Sequence, residues 1–192
     1  MWYRALVGIV VLAAAVRAGA APDVEVAIRR VYPALVRIHV VREEAEGGRL
    51  QKIQASGSGV IIRRDGYIIS NHHVAGRARR LMCRLADGEE IEADLVGSDP
   101  LSDIAVIRLR LEQRRGSGPV PVAEFGDSDA LRVGTPVLAM GSPGGIAQSV
   151  TRGIVSNPAL LLPGGLQLEG EDVGALVRWI AHDERIYPGN SG

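Results

Sequence analysis

Hydrophobic positions along this chain repeat mostly every second residue. The exception comes early. Val24, Ala27, Ile28 and Val31 fall at i, i+3, i+4 and i+7, the stripe of a short amphipathic helix that Pro33 ends. From there Ala34, Val36, Ile38 and Val40 alternate with Arg37 and His39, the period of a strand with one buried face. Residues 42–52 are mostly polar, contain glycine and read as a loop. Strands at Gly59–Ile62 and Tyr67–Ser70 flank Asp65-Gly66. Strands carrying Leu81, Cys83 and Leu85, then Ile91, Ala93 and Leu95, flank Asp87-Gly88. Both Asp-Gly pairs predict hairpin turns, because glycine reaches positive φ without a steric penalty. Further strands are expected over 104–109, 133–140 and 150–156, a Gly-rich surface loop over 160–174, and a last short strand over 175–180. No long helical period follows Tyr32, and many short strands with glycine turns predict an all-β barrel or sandwich.

Composition narrows this picture. Apolar residues make up 46% and charged residues 23% of the 192, which is globular rather than disordered. The 22 basic side chains are matched by 22 acidic ones, so a basic nucleic-acid surface is not the theme. The single cysteine, Cys83, excludes an internal disulfide and any Cys-pair zinc site; sharing a face with Leu81 and Leu85, it reads as a buried apolar residue. Aromatic residues are only 4%, so the core must be aliphatic.

The start of the chain reads as a targeting signal. Arg4 gives a basic start, Ala5–Val16 is an apolar run, and Ala18-Gly19-Ala20 places small residues where a signal peptidase reads them. Cleavage is expected after Ala20. Arg17 breaks the run short of a bilayer's thickness, which argues against a membrane anchor.

Three motifs supply chemistry: Ser70-Asn71-His72-His73-Val74 at a strand end, Asp99 to Val106 entering a strand, and Pro188-Gly189-Asn190-Ser191-Gly192. Each alone is ordinary. A lone histidine is commonly a surface or core residue, an aspartate before a strand a turn, and Pro-Gly-Asn-Ser-Gly a loop. Together they offer a base, a carboxylate and a hydroxyl. A serine hydroxyl is a weak nucleophile at neutral pH. It needs an imidazole to take its proton, and the imidazole needs a carboxylate to fix its tautomer. The backbone N–H groups of Gly189 and Ser191 could both point at a developing oxyanion. The order His, Asp, Ser is that of chymotrypsin.

The sequence resembles the HtrA (Deg) type of trypsin-fold serine protease. The resemblance is carried by Gly57–Ile62, Asp65–Asn71, His73-Val74, Asp99–Val106, Gly126–Asp129, Leu131–Gly134, Val137–Pro143, Val150–Ser156, Asp183, Ile186 and Pro188–Gly192. It implies a chymotrypsin-like double β-barrel, with residues 21–112 as amino-terminal region and first barrel. Residues 113–192 would be a second barrel lacking its final strands, because the family continues beyond this point with further strands and peptide-binding modules. The chain is therefore expected to be a piece of a longer protein. The family's histidine directly precedes the valine and its aspartate the Ile-Ala pair. The resemblance thus implies His73 as general base, Asp103 as its partner and Ser191 as nucleophile. Within a strand His72 would face the opposite side, where it either tunes the site or meets solvent. Asp99 is expected to start a turn with Pro100.

The resemblance also places Arg185 and Ile186 in the wall of the substrate pocket. Arg185 stands where the family has a small apolar residue, and would either disfavour cationic side chains or point to solvent, with Glu184 beside it to neutralise it. Tyr187 also departs from the family's Asn. Arg77, Arg79 and Arg80 read as a solvated basic face, and Gly141–Gly145 as a turn, since it lacks the Lys-Ser/Thr of a phosphate loop. The expectation is an exported, periplasmic or extracellular serine endopeptidase acting on unfolded or damaged polypeptides, with no cofactor, metal, nucleic acid or stable membrane insertion. The family implies trimers. The alternative is a non-catalytic peptide-binding barrel or an inactive truncated relic.

Overall fold

The computed structural model describes residues 24–46, 49–141, 149–168, 171–174, 177–186 and 191. The residues read as a signal (1–20), the Gly-Ser-Pro turn beyond Gly141, Tyr187, Gly189 and Gly192 lie outside this set. Helix α1 (Val24–Val31) forms where the helical stripe predicted it, and a 3₁₀ turn at Tyr32–Ala34 carries Pro33. Strands β1 (Leu35–Glu46), β2 (Arg49–Ile61) and β3 (Tyr67–Asn71) follow, then a single helical turn α2 (His72–Ala75). Strands β4 (Arg80–Arg84), β5 (Glu90–Asp99) and β6 (Ile104–Leu109) complete a closed antiparallel barrel in the order β1-β2-β3-β6-β5-β4.

The period-two pattern explains the barrel. Val36, Ile38 and Val40 of β1, Ile68 of β3, Cys83 of β4, Ile91 of β5 and Ala105 and Ile107 of β6 all point inward and form one aliphatic cluster. Burying each large aliphatic side chain contributes about 1.5–3 kcal/mol of apolar transfer. Both Asp-Gly turns form, with Gly66 at φ 89° and Gly88 at φ 88°. Leu35 faces away from the barrel interior yet is buried too, because α1 covers it. Ala27, Val31, Leu35 and Val60 pack there with Leu138 and Met140, tying α1 to the second half of the chain.

In that second half, β7 (Pro136–Gly141), β8 (Ser149–Leu160) and β11 (Trp179–His182) form a three-stranded antiparallel sheet in the order β11-β8-β7. Between β8 and β11 lies a small hairpin of β9 (Leu166–Leu168) and β10 (Glu171–Val173). Leu131, Val137 and Val155 form a second small core, with Ile180 packed on it.

Several expectations are corrected. Residues 42–46 and 49–52 are strand rather than loop. β1 and β2 stay paired from Leu35↔Val60 out to Glu46↔Arg49, well past the points where β4 and β3 stop pairing with them. The result is a two-stranded ribbon that projects from the barrel. The 160–174 segment holds the β9–β10 hairpin, β7 begins at Pro136 rather than Val133, and the last strand among the described residues is 179–182, with positions 175 and 176 of the expected 175–180 outside them. Among the described residues, no helix is long and apolar enough to cross a membrane.

Candidate active site

The site starts from Asp103, in the turn between β5 and β6. Asp99 opens this turn, as expected: its carboxylate accepts the Leu101 N–H at 3.0 Å and the Ser102 hydroxyl at 2.7 Å, and these bonds hold it below the usual carboxylate range. The tight turn leaves Asp103 with φ 57°, a left-handed conformation uncommon for a residue with a Cβ. Such strain persists where surrounding bonds over-determine it. Here they do. The Asp103 carbonyl accepts the His72 N–H at 3.0 Å and the Asn71 side-chain amide at 3.0 Å. Its carboxylate accepts the His73 N–H at 2.9 Å through Oδ1 and lies 2.8 Å from His73 Nδ1 through Oδ2. The Asp103 side chain is 1% exposed and that of His73 14%.

An ionised carboxylate can only accept, so this contact puts the proton of a neutral His73 on Nδ1. Nε2 is then the lone-pair nitrogen. His72 and His73 do not sit in a strand. They open α2, and this corrects the alternating-face argument. His72 does not face solvent either: it is buried, with Nδ1 3.1 Å from the Ser98 hydroxyl on β5.

Ser191 is reached from the other half of the chain and is buried. Its backbone carbonyl accepts the Ser58 N–H of β2 at 2.6 Å, and the Ser58 carbonyl accepts the Ser70 hydroxyl of β3 at 2.9 Å. Gly57 makes the approach possible. A Cβ there would lie 2.8 Å from the Ser191 carbonyl oxygen and 2.5 Å from a methyl of Val74, the residue after His73. The nucleophile candidate is therefore docked by its main chain beside the helical turn that carries His73. Gly189, the second oxyanion-hole candidate, lies outside the described residues.

The approach to Ser191 lies on β8. The Asp183 carboxylate accepts the Ile154 N–H at 2.7 Å, and the Arg185 carbonyl accepts the Thr151 hydroxyl at 3.0 Å. Arg185 is exposed and Ile186 half-buried. No ion pair joins Arg185 to Glu184: Glu184 is buried, 3.8 Å from His182 Nδ1. His182 was not singled out from the sequence, and Glu184 was read there only as a neighbour neutralising Arg185. Cys83 is no rival nucleophile, because burial pushes its thiol to about 12. Arg80 pairs with Glu92 at 2.6 Å and Arg79 with Glu43 at 3.4 Å, which accounts for two members of the basic cluster.

Comparison with known proteins agrees with this geometry. Residues 57–192 match the trypsin-like peptidase domain. A probable periplasmic serine endoprotease, DegP-like, of Pseudomonas fulva is 42% identical over 151 residues, covering 79% of this chain and 28% of that protein. Its counterpart in Hahella chejuensis is 35% identical over 206 residues, covering 92% and 41%. Among solved structures, the HtrA-type protease AlgW, as a variant with a decapeptide, superposes with a TM-score of 0.72 at 30% identity, over 88% of this chain and 53% of that one. AlgW with a tripeptide gives 0.69 at 34% identity, over 89% and 49%. The chain thus spans between about a quarter and a half of the length of these relatives. With a closed six-stranded barrel, a second sheet and relatives of the HtrA type, this chain belongs to the trypsin-like peptidase family.

Proposed function

We propose that this chain is the catalytic part of an exported serine endopeptidase, with Ser191 as nucleophile, His73 as general base and Asp103 as the carboxylate that orients it. The observation that carries the reading is the double grip of Asp103 on His73, through the backbone N–H and Nδ1, with Ser191 docked on β2 beside the same helical turn. With Nδ1–H donated to Asp103, His73 Nε2 takes the Ser191 hydroxyl proton as the oxygen attacks a peptide carbonyl. The tetrahedral oxyanion is stabilised by the N–H groups of Ser191 and Gly189. Collapse expels the amine with the proton from His73 and leaves an acyl-enzyme. Water, deprotonated by the same imidazole, then releases the acid and restores Ser191.

Substrates are unfolded polypeptides, a reading supported by solved structures of AlgW with a decapeptide and with a tripeptide. Periplasmic location is supported by the relatives' names, and residues 1–20 serve as the export signal. The division into a first unit ending at 112 and a second beginning at 113 is part of the same reading. Arg185 and Ile186 line the substrate pocket. The test is labelling with a fluorophosphonate probe, alongside cleavage of denatured casein. One serine is expected to be labelled, and Ser191→Ala is expected to lose both labelling and cleavage by at least ~10⁴-fold. Labelling that survives Ser191→Ala overturns the assignment. Casein bound but never cut points to a binding module instead.

A further inference from the structure

The segment that leads from β11 to Ser191 contains a buried pair that the chemistry above does not use. The Glu184 side chain is 0% exposed and that of His182 13%. Both Glu184 carboxylate oxygens and His182 Nδ1 are buried without a hydrogen-bond partner, and Nδ1 lies 3.8 Å from Oε2. A buried carboxylate with no well-formed hydrogen bond and no lysine or arginine beside it is costly to hold ionised, whereas a protonated carboxyl carries no charge to desolvate. The segment has no room to retreat. A Cβ at Gly153 of β8 would meet Glu184 Cγ at 2.5 Å and Asp183 Oδ1 at 2.3 Å. Bonds from Ile154 N–H to Asp183 and from the Thr151 hydroxyl to the Arg185 carbonyl pin it on both sides.

We propose that Glu184 is carried protonated beside a neutral His182, forming an uncharged strut that sets the approach of the chain to Ser191, and that loss of this proton misplaces Ser191. Glu184 and His182 are positioning residues. The groups around them support the assignment. Burial raises the Glu184 carboxyl to about 7; the neighbouring Asp183 carboxylate adds to the rise and the Gly153 amide offsets part of it. Burial holds His182 below its ordinary value, with Asp183 opposing. On β8, Thr151 and Gly153 face the segment, while Arg152 is exposed, as is Arg185. Among the described residues, no lysine or arginine lies within ion-pair distance of Glu184, and His182 is its only such neighbour.

The sign follows from linkage. A carboxyl whose folded value lies above its unfolded one binds its proton more tightly in the native state. The stability it confers is present in acid and is lost as pH rises toward about 7. A loss of function on the alkaline side is therefore expected, opposite to the acid-side loss of an imidazole base.

This inference rests on the peptidase reading for one of its readouts only. In the full chain carrying Ser191→Ala, which removes self-cleavage, thermal midpoints are measured from pH 5.5 to 8.5 with and without Glu184→Gln, the uncharged isostere. The midpoint without Glu184→Gln is expected to fall relative to that of the variant as pH rises from 5.5 through about 7 and then to level off; parallel curves overturn the proposal. In chains retaining Ser191, the ratio of fluorophosphonate labelling rates, native over Glu184→Gln, is expected to fall about tenfold from pH 6 to pH 8, as the protonated fraction drops from about nine-tenths to one-tenth. A flat ratio overturns the link to Ser191. Absence of labelling in both chains rejects the peptidase reading while the thermal curves still decide on the proton. If Glu184→Gln does not fold, infrared spectra of Ser191→Ala protein answer directly. A protonated carboxyl band present at pH 6 and lost by pH 8 supports the strut, and its absence at pH 6 rejects it.

Discussion

Residues 35–109 and residues 136–182 are both antiparallel sheet, yet they are stabilised differently. In the first, closure gives every strand two neighbours and surrounds a continuous aliphatic interior. In the second, among the described residues, β7 and β11 each pair only with β8, around the small Leu131–Val137–Val155 core. The candidate site is divided along the same line. Its acid–base pair belongs wholly to the closed barrel, where Asp103 and the 71–73 segment hold each other through four hydrogen bonds. The proposed nucleophile, Ser191, arrives from the other half and is held by one main-chain bond to β2. The imidazole is therefore oriented before substrate comes, whereas the hydroxyl depends on how well a less enclosed region is seated. Damage to the two regions should differ in kind: chemical on one side, positional on the other.

The largest effect tests the chemical side. Asp103→Asn keeps the shape but presents an amide to Nδ1, favouring the wrong imidazole tautomer. Labelling should fall by about four orders of magnitude. The thermal midpoint should move little; a large drop would mean that Asp103 acts mainly as a structural clamp.

Core truncations come next. Ile107→Ala empties part of the barrel interior and should cost about 2–5 kcal/mol in denaturant unfolding. Val155→Ala, at 0% exposure in the second core, should cost about 2 kcal/mol. In conditions where both variants remain folded, Val155→Ala should slow labelling more, because β8 carries the approach to Ser191 and Ile107 does not. The reverse order breaks the comparison.

The smallest change sharpens it. Ser70→Ala removes the hydroxyl bonded to the Ser58 carbonyl, on the strand residue that docks Ser191. A cost of about 1 kcal/mol is expected from denaturant titration. A labelling change of more than about fivefold, beyond what that energy explains, would show that the β2–β3 pairing controls the nucleophile as well.

Legibility in the sequence followed the same division. The barrel hairpins were readable because alternation and Asp-Gly turns state one answer twice. The projecting β1–β2 ribbon was not, because a strand pair outside the barrel has no buried face to impose alternation. The β9–β10 hairpin was hidden by three-residue strands in a Gly-rich stretch. His73 and Asp103 were found through motif and resemblance and the structure brings them together, but the strand geometry used to separate His72 from His73 did not apply to a helical turn. Glu184 was unreadable for a general reason: a glutamate is seldom buried, and nothing in its neighbours' identities announces that this one is.

The bond between Ser58 N–H and the Ser191 carbonyl has a consequence for genetics. It joins main chain to main chain, so it is blind to side-chain identity at both ends. A saturation scan would register position 58 through the burial of its side chain, and this bond only through proline, which alone deletes the donor. Gly57, which contributes no polar atom, would score as intolerant. The contact that seats Ser191 would thus leave its clearest signature on a neighbour rather than on itself. An amide-to-ester replacement at residue 58, which edits the backbone and leaves every side chain in place, is the perturbation that would expose it.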